Sequence, residues 1–137
     1  MPTSTSCLKV PNHATANGTA LSVGTCDTTP SKDVFAFNNN GEITYTRNGV
    51  TKCVDMQGPT EAQWLAGNSA PNTGATIQLW SCAGVLGQKW NVTGPVTHTS
   101  SSKCLDWGGD LTNGTPYGTT CNGLAYQNWD YYWKTDI

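Results

Sequence analysis

Charge is scarce in this chain: 12% of its 137 residues are Asp, Glu, Lys or Arg, with seven basic residues against nine acidic ones. A net charge of −2 provides no basic field to neutralise a phosphate backbone or an anionic membrane surface, so nucleic acid is not an expected partner. No run of about 20 apolar residues is present, and membrane insertion by a helix is not expected. Glutamate occurs only as Glu42 and Glu61, and histidine only as His13 and His98. There is no C-x-x-C pair, and two histidines are too few for a Cys/His cluster, so neither a metal nor another cofactor is expected. The opening Met1-Pro2-Thr3-Ser4-Thr5-Ser6 lacks the charged and apolar regions of a secretory leader. A sustained i, i+3, i+4 apolar stripe over eleven or more residues is also missing, which argues against a helical bundle or coiled coil.

What the chain does hold is turn-formers and sulfur: 15 Gly, six Cys and six Trp. Its length suits one domain spanning residues 1–137 and is too short for two ordinary ones. Cys7, Cys26, Cys53, Cys82, Cys104 and Cys121 are even in number and spread along a Thr/Ser/Asn-rich chain, a usage that fits disulfides and a secreted, extracellular setting. Spacing alone leaves fifteen pairings open. Asn17-Gly18-Thr19, Asn91-Val92-Thr93 and Asn113-Gly114-Thr115 match the glycosylation pattern, which is common by chance.

A repeat organises these residues. Lys52-Cys53-Val54-Asp55-Met56 and Lys103-Cys104-Leu105-Asp106-Trp107 start 51 residues apart, and Ser6-Cys7-Leu8-Lys9-Val10 starts 46 before the first of them. A second cysteine follows each, after 19, 29 and 17 residues in chain order. Then comes Gln88-Lys89-Trp90 or Gln127-Asn128-Trp129, each tryptophan eight residues beyond its cysteine. The first copy has Phe35-Ala36-Phe37 in that region, Phe37 lying eleven beyond Cys26. Three units, approximately 1–46, 47–96 and 97–137, fill the chain. Within a unit the apolar period is two, as in Thr76-Ile77-Gln78-Leu79-Trp80 and Glu42-Ile43-Thr44-Tyr45-Thr46, with Asn-Gly pairs between such runs. The fold class is therefore all-β, built from short strands and tight turns.

Three tandem copies of Cys-x-Asp (Lys9 in the first), Asn-Gly-Thr or a variant, Ile-Gln-Leu-Trp-Ser-Cys and Gln-x-Trp resemble the ricin B-chain type lectin domain, also classed as a family 13 carbohydrate-binding module. The likeness covers essentially the whole chain. It implies a β-trefoil of three pseudo-threefold subdomains, with disulfides Cys7–Cys26, Cys53–Cys82 and Cys104–Cys121. It also implies that Phe37, Trp90 and Trp129 fill the core. Trp64, Trp80, Trp107 and Trp133 are then left without a core role.

A pyranose needs a carboxylate to accept from vicinal hydroxyls, an amide to extend the hydrogen-bond fan and a flat aromatic for its C–H face. The resemblance assigns the carboxylate and the platform in the middle lobe to Asp55 and Trp80, with Gln78 two residues earlier on the same strand face. Gly87 stands where the family has its asparagine, so the amide must come from elsewhere or affinity falls. The long segment after Asp55 offers Trp64 as a loop contact. The last lobe is a second candidate through Asp106, Tyr117 and Asn128. There Thr119 falls at the position of Trp80, and Tyr117 would need a one-residue shift to act as platform. In the first lobe Lys9 replaces the aspartate, Gly24 the platform and Phe35 the glutamine, and that site reads as lost. Glycoside hydrolysis requires two carboxyls facing one bond, whereas the two repeat aspartates belong to different lobes. Both histidines lie in polar stretches that read as solvated surface. The expected function is non-catalytic carbohydrate binding, toward galactose- or GalNAc-type or xylan-type glycans, by a free, self-associating or catalytic-domain-tethered module. The alternative is a β-trefoil protein-interaction module such as a protease inhibitor or toxin subunit.

Overall fold

The computed structural model describes residues 6–27, 33–57, 75–92, 96–108, 114–123, 125–127 and 129. Among the described residues ten short strands carry the fold: β1 Ser6–Lys9, β2 Ser22–Thr25, β3 Phe35–Phe37, β4 Ile43–Arg47, β5 Val50–Met56, β6 Ala75–Trp80, β7 Trp90–Asn91, β8 Thr97–His98, β9 Cys104–Asp106 and β10 Tyr117–Thr119. Among the described residues the only helical pieces are three-residue 3₁₀ turns. β1 and β2 pair with each other, and the other eight form one sheet in the order β3-β4-β5-β6-β10-β9-β8-β7.

The threefold repeat is written in the strand register. Cys7, Cys53 and Cys104 stand opposite Gly24, Trp80 and Thr119; two residues on, Lys9, Asp55 and Asp106 stand opposite Ser22, Gln78 and Tyr117. Each strand pair is closed by its own disulfide, Cys7–Cys26, Cys53–Cys82 and Cys104–Cys121. Because side chains alternate across a strand, the residues between these positions face inward: Val54 and Leu79 of the middle copy are fully buried. They join Val10, Leu21, Tyr45, Met56, Ile77, Trp90, Val96 and Leu105 in one core.

Sequence elements with unusual backbone needs join the copies. Asn48 and Gly49, at φ +54° and +79°, make the tight turn between β4 and β5, as the Asn-Gly pair predicts. The Asn-Gly-Thr segments act as stitches between copies. Gly18 N–H donates to Leu79 O and Leu79 N–H to Thr19 O, while Val23 and Gly114 exchange a hydrogen bond in each direction. Ala75 stands opposite Gly118 in the third equivalent position. Asn17 Oδ1 further accepts from the Ser81 N–H at 2.8 Å.

Trp90 is buried in the core and Trp129 packs against it partly buried, their indole N–H groups donating to Val54 O at 2.9 Å and Leu105 O at 3.0 Å. Phe37 does not take the core place expected of it: it is 37% exposed, whereas Phe35 packs against the core. The register explains this correction. Phe35 stands opposite Tyr45 as Trp90 stands opposite His98, so Asp33-Val34-Phe35 is the first copy's Gln-x-Trp, displaced by one residue. Phe37 has run on to the rim of the strand. His98 also departs from its expected surface place, since it is fully buried, edge-on to Trp90, with Nε2 donating to Gly87 O at 3.0 Å. Burial lowers its pKa from 6.5 to about 4, against the opposing effect of its backbone partners.

Candidate functional site

On β5 and β6 the pleat puts Cys53 and Asp55 on the face opposite Val54 and Met56, and Gln78 and Trp80 on the face opposite Ile77 and Leu79. Asp55, Gln78 and Trp80 thereby share one face of the strand pair, on which Trp80 is exposed, Asp55 half-buried and Gln78 buried. Gln78 Nε2 donates to Asp55 Oδ1 at 3.1 Å. Gln88 donates to the same carboxylate, so the glutamine of Gln-x-Trp serves the site as well as the turn it clamps. Its other contacts hold that turn: Ala83 N–H donates to Oε1 and Nε2 donates to Ser81 O. Burial pushes the Asp55 carboxyl above its ordinary 3.8, and the two glutamine hydrogen bonds only partly offset it. A carboxylate has about four lone-pair sites, so the two glutamine donors leave half-buried Asp55 with acceptor capacity to spare.

Trp80 is 43% exposed, unusual for the largest apolar side chain. Its indole lies over the neighbouring copy's turn: a Cβ added to Gly18 would sit 3.8 Å from Trp80 Cζ3. Gly18, at φ +87°, thus supports the platform without filling the space beside it. Gly87 contributes a buried carbonyl to His98 rather than a side-chain amide to the site. Trp64 lies outside the described residues.

The last copy is arranged differently. Asp106 is 3% exposed; Oδ1 accepts from Gly108 N–H at 2.8 Å and Oδ2 from Gln127 Nε2 at 3.4 Å. Tyr117 does not reach the platform position: it stands opposite Asp106, in the place of Gln78, two residues short of buried Thr119, which takes the place of Trp80. Burial raises the Tyr117 phenol, with the charge of Asp106 adding to the effect. Trp107 is buried and packs on exposed Tyr126, ring centroids 4.8 Å apart, which accounts for one tryptophan that had no core role. Asn128 and Trp133 lie outside the described residues.

In the first copy Asp33 occupies the glutamine position and gathers a buried cluster. It accepts from Val10 N–H (2.8 Å), Tyr45 Oη (2.7 Å) and Arg47 Nη2 (3.1 Å), and lies 2.9 Å from His13 Nδ1. Burial raises its carboxyl, but these hydrogen bonds outweigh burial and hold it below the ordinary 3.8. Sequence reasoning missed this assignment; the available signal was that Phe35 lies nine residues beyond Cys26, close to the eight of the other two copies.

Three strand pairs in equivalent register, one disulfide in each and a shared core define a β-trefoil. The chain belongs to the ricin-type β-trefoil lectin domain family, whose model matches residues 1–129. Among solved structures it is similar to a designed threefold-symmetric protein, ThreeFoil, at 17% identity and TM-score 0.65, over 89% of this chain and 86% of that one. It is similar also to the C-terminal half of an earthworm R-type lectin in complex with GalNAc, at 13% identity and TM-score 0.64, over 88% and 84%. A third likeness, to GalNAc-T7 with UDP, GalNAc and Mn2+, has 16% identity and TM-score 0.66 and covers 94% of this chain but 20% of the larger one. No curated protein sequence matches the chain.

Proposed function

We propose that this chain is a single, non-catalytic carbohydrate-binding trefoil, its lobes near 1–46, 47–96 and 97–137, with the middle lobe as its principal site. The observation that carries this reading is that Asp55 and exposed Trp80 share one face of the β5–β6 pair, with buried Gln78 hydrogen-bonded to the carboxylate between them. Asp55 accepts from two vicinal hydroxyls, Gln78 orients the carboxylate and extends the hydrogen-bond fan, and Trp80 stacks on the C–H face of the ring. Family membership and the earthworm lectin's GalNAc complex support a galactose- or GalNAc-type ligand, with xylan-type chains as the competing class. The three disulfides support an extracellular setting.

One carboxylate and one indole make a shallow site, for which a dissociation constant of mM to tens of µM, about −4 to −6 kcal/mol, is expected. Useful avidity then comes from self-association or from tethering to a catalytic domain. The last lobe, with Asp106 closed off by Gly108 and Gln127, is the weaker candidate, although Tyr117 and Tyr126 flank it. A glycan array identifies the ligand, and calorimetry with Asp55→Ala and Trp80→Ala tests the site. Loss of binding in both is expected; full retention in both removes the middle-lobe assignment and favours a protein-interaction module.

A further inference from the structure

The first copy, whose sugar site reads as lost in sequence, contains an open cleft of about 470 Å³ lined by Lys9, Asn12, His13, Ser22, Thr25 and Asp27, among others. Lys9 and Ser22 face each other in the register that pairs Asp55 with Gln78, so this cleft is the threefold mate of the middle site with its central charge reversed. Among the described residues of that lining, Lys9 is the one lysine or arginine and Asp27 the one carboxylate. Arg47, the nearby guanidinium, is held by Asp33 and Tyr45 at 3.1 and 3.2 Å. Lys9 Nζ donates to Thr25 O at 2.9 Å and, at a long 3.4 Å, to Asp27 Oδ1. Both side chains are partly open to solvent, at 25% and 36% exposure. An ammonium has three donors, and two are used here. Gly24 stands where Trp80 stands in the middle copy, so the described lining offers no indole on which a neutral ring would stack.

We propose that this cleft binds a sugar carrying an anionic substituent, a carboxylate or a sulfate ester, with Lys9 as the cation that recognises it. The anion takes the third Lys9 donor and displaces the loosely held Asp27, while Ser22 and Asn12 meet ring hydroxyls. The saccharide part rests on the lectin reading above; the anion part rests on Lys9 and the cleft alone.

The test uses the Trp80→Ala protein, in which the middle site is silent, and follows backbone amides by NMR. Three probes are titrated: methyl glucuronide, a 6-sulfated methyl galactoside and neutral methyl galactoside. At least one charged glycoside is expected to bind at least tenfold more tightly than the neutral one and to shift the amides of Lys9, Asn12, Ser22 and Thr25; which one does distinguishes carboxylate from sulfate. Binding weakens with salt, Lys9→Ala reduces it at least tenfold, and Asp27→Asn tightens it severalfold by removing the internal competitor. The Asp27 variant decides the matter should Lys9→Ala fail to fold. Equal affinity for charged and neutral probes, no binding at all, or weakening by Asp27→Asn overturns the proposal. Inorganic sulfate binding as tightly as the glycosides overturns its saccharide part. Because wild-type protein with Trp80 intact reports separately on neutral sugars, failure of this cleft and failure of the middle site are told apart.

Discussion

Asp55 is a carboxylate that folding disfavours: it loses solvent on β5 and regains only two glutamine donors, so its proton is held more tightly than in the unfolded chain. With a folded pKa above 3.8, the group lowers stability once pH rises through that folded value, a cost that a ligand's hydroxyls would relieve. On the proposed reading, affinity is flat near neutrality and falls as pH drops toward the Asp55 value, because the protonated acid loses acceptor capacity. Calorimetric titrations between pH 7 and 4 check this, and Asp55→Asn, which has no such titration, should bind weakly without that pH dependence. Trp80→Ala should weaken sugar binding at least tenfold at a smaller cost in thermal midpoint than truncation of a fully buried core tryptophan, since the side chain is 43% exposed. A large loss of stability in that variant would assign Trp80 to the fold instead.

At the scale of elements, each strand pair resolves which aromatic enters the core. β3 places Phe35 against Tyr45, ring centroids 5.5 Å apart, and leaves Phe37 at the rim. Phe35→Ala is therefore expected to cost roughly 2–4 kcal/mol, below the fully buried range because the ring is partly exposed, and Phe37→Ala under about 1 kcal/mol. Urea unfolding of the two variants measures the difference, and the reverse order would restore Phe37 to the tryptophan position. The stitches between copies carry a backbone requirement of the same kind. Gly18 sits at φ +87°, so Gly18→Ala should cost on the order of 1–3 kcal/mol although its Cβ would meet only ordinary contact. That loss, readable in the same urea experiment, would also tilt the support beneath Trp80.

Across the whole molecule, stability is set by three closed loops and a core containing one buried histidine. Loops spanning 19, 29 and 17 residues each contribute roughly 3 kcal/mol in the chain-entropy picture, so reduction is expected to remove most of the stability of so small a domain. His98 adds a dependence on pH. The unfolded chain takes up this proton near pH 6.5 and the folded chain only near 4, so the stability is fully present above 6.5 and is lost as pH falls between these values. The loss amounts to roughly 3 kcal/mol, with Asp55 acting in the opposite sense at the lower end of the window. Denaturant midpoints at pH 7 and 4.5 measure the slope, and His98→Gln should flatten it. Because His98 holds Gly87, beside the glutamine that reaches Asp55, the same acid loss is felt next to the proposed site.

The threefold architecture was legible in the residues themselves, because a cysteine-led repeat recurs at nearly constant spacing and a period of two permits only strands. Disulfide partners and the places of Trp90 and Trp129 were implied by the family likeness that those motifs carry, because spacing alone leaves fifteen pairings open. Alignment failed where a single inserted residue moved Asp33-Val34-Phe35 out of step, for spacing cannot tell which of two phenylalanines two positions apart reaches the centre; only the pairing of Phe35 with Tyr45 decides it. Burial of His98 and closure of Asp106 are likewise products of neighbours distant in the chain, Gly87 for the one and Gln127 for the other. Lys9 shows the same division. Its sequence position shows only a lysine where the other two copies have aspartate, while the cleft around it is formed by a strand pair in the same register as theirs and by the turn that follows Lys9.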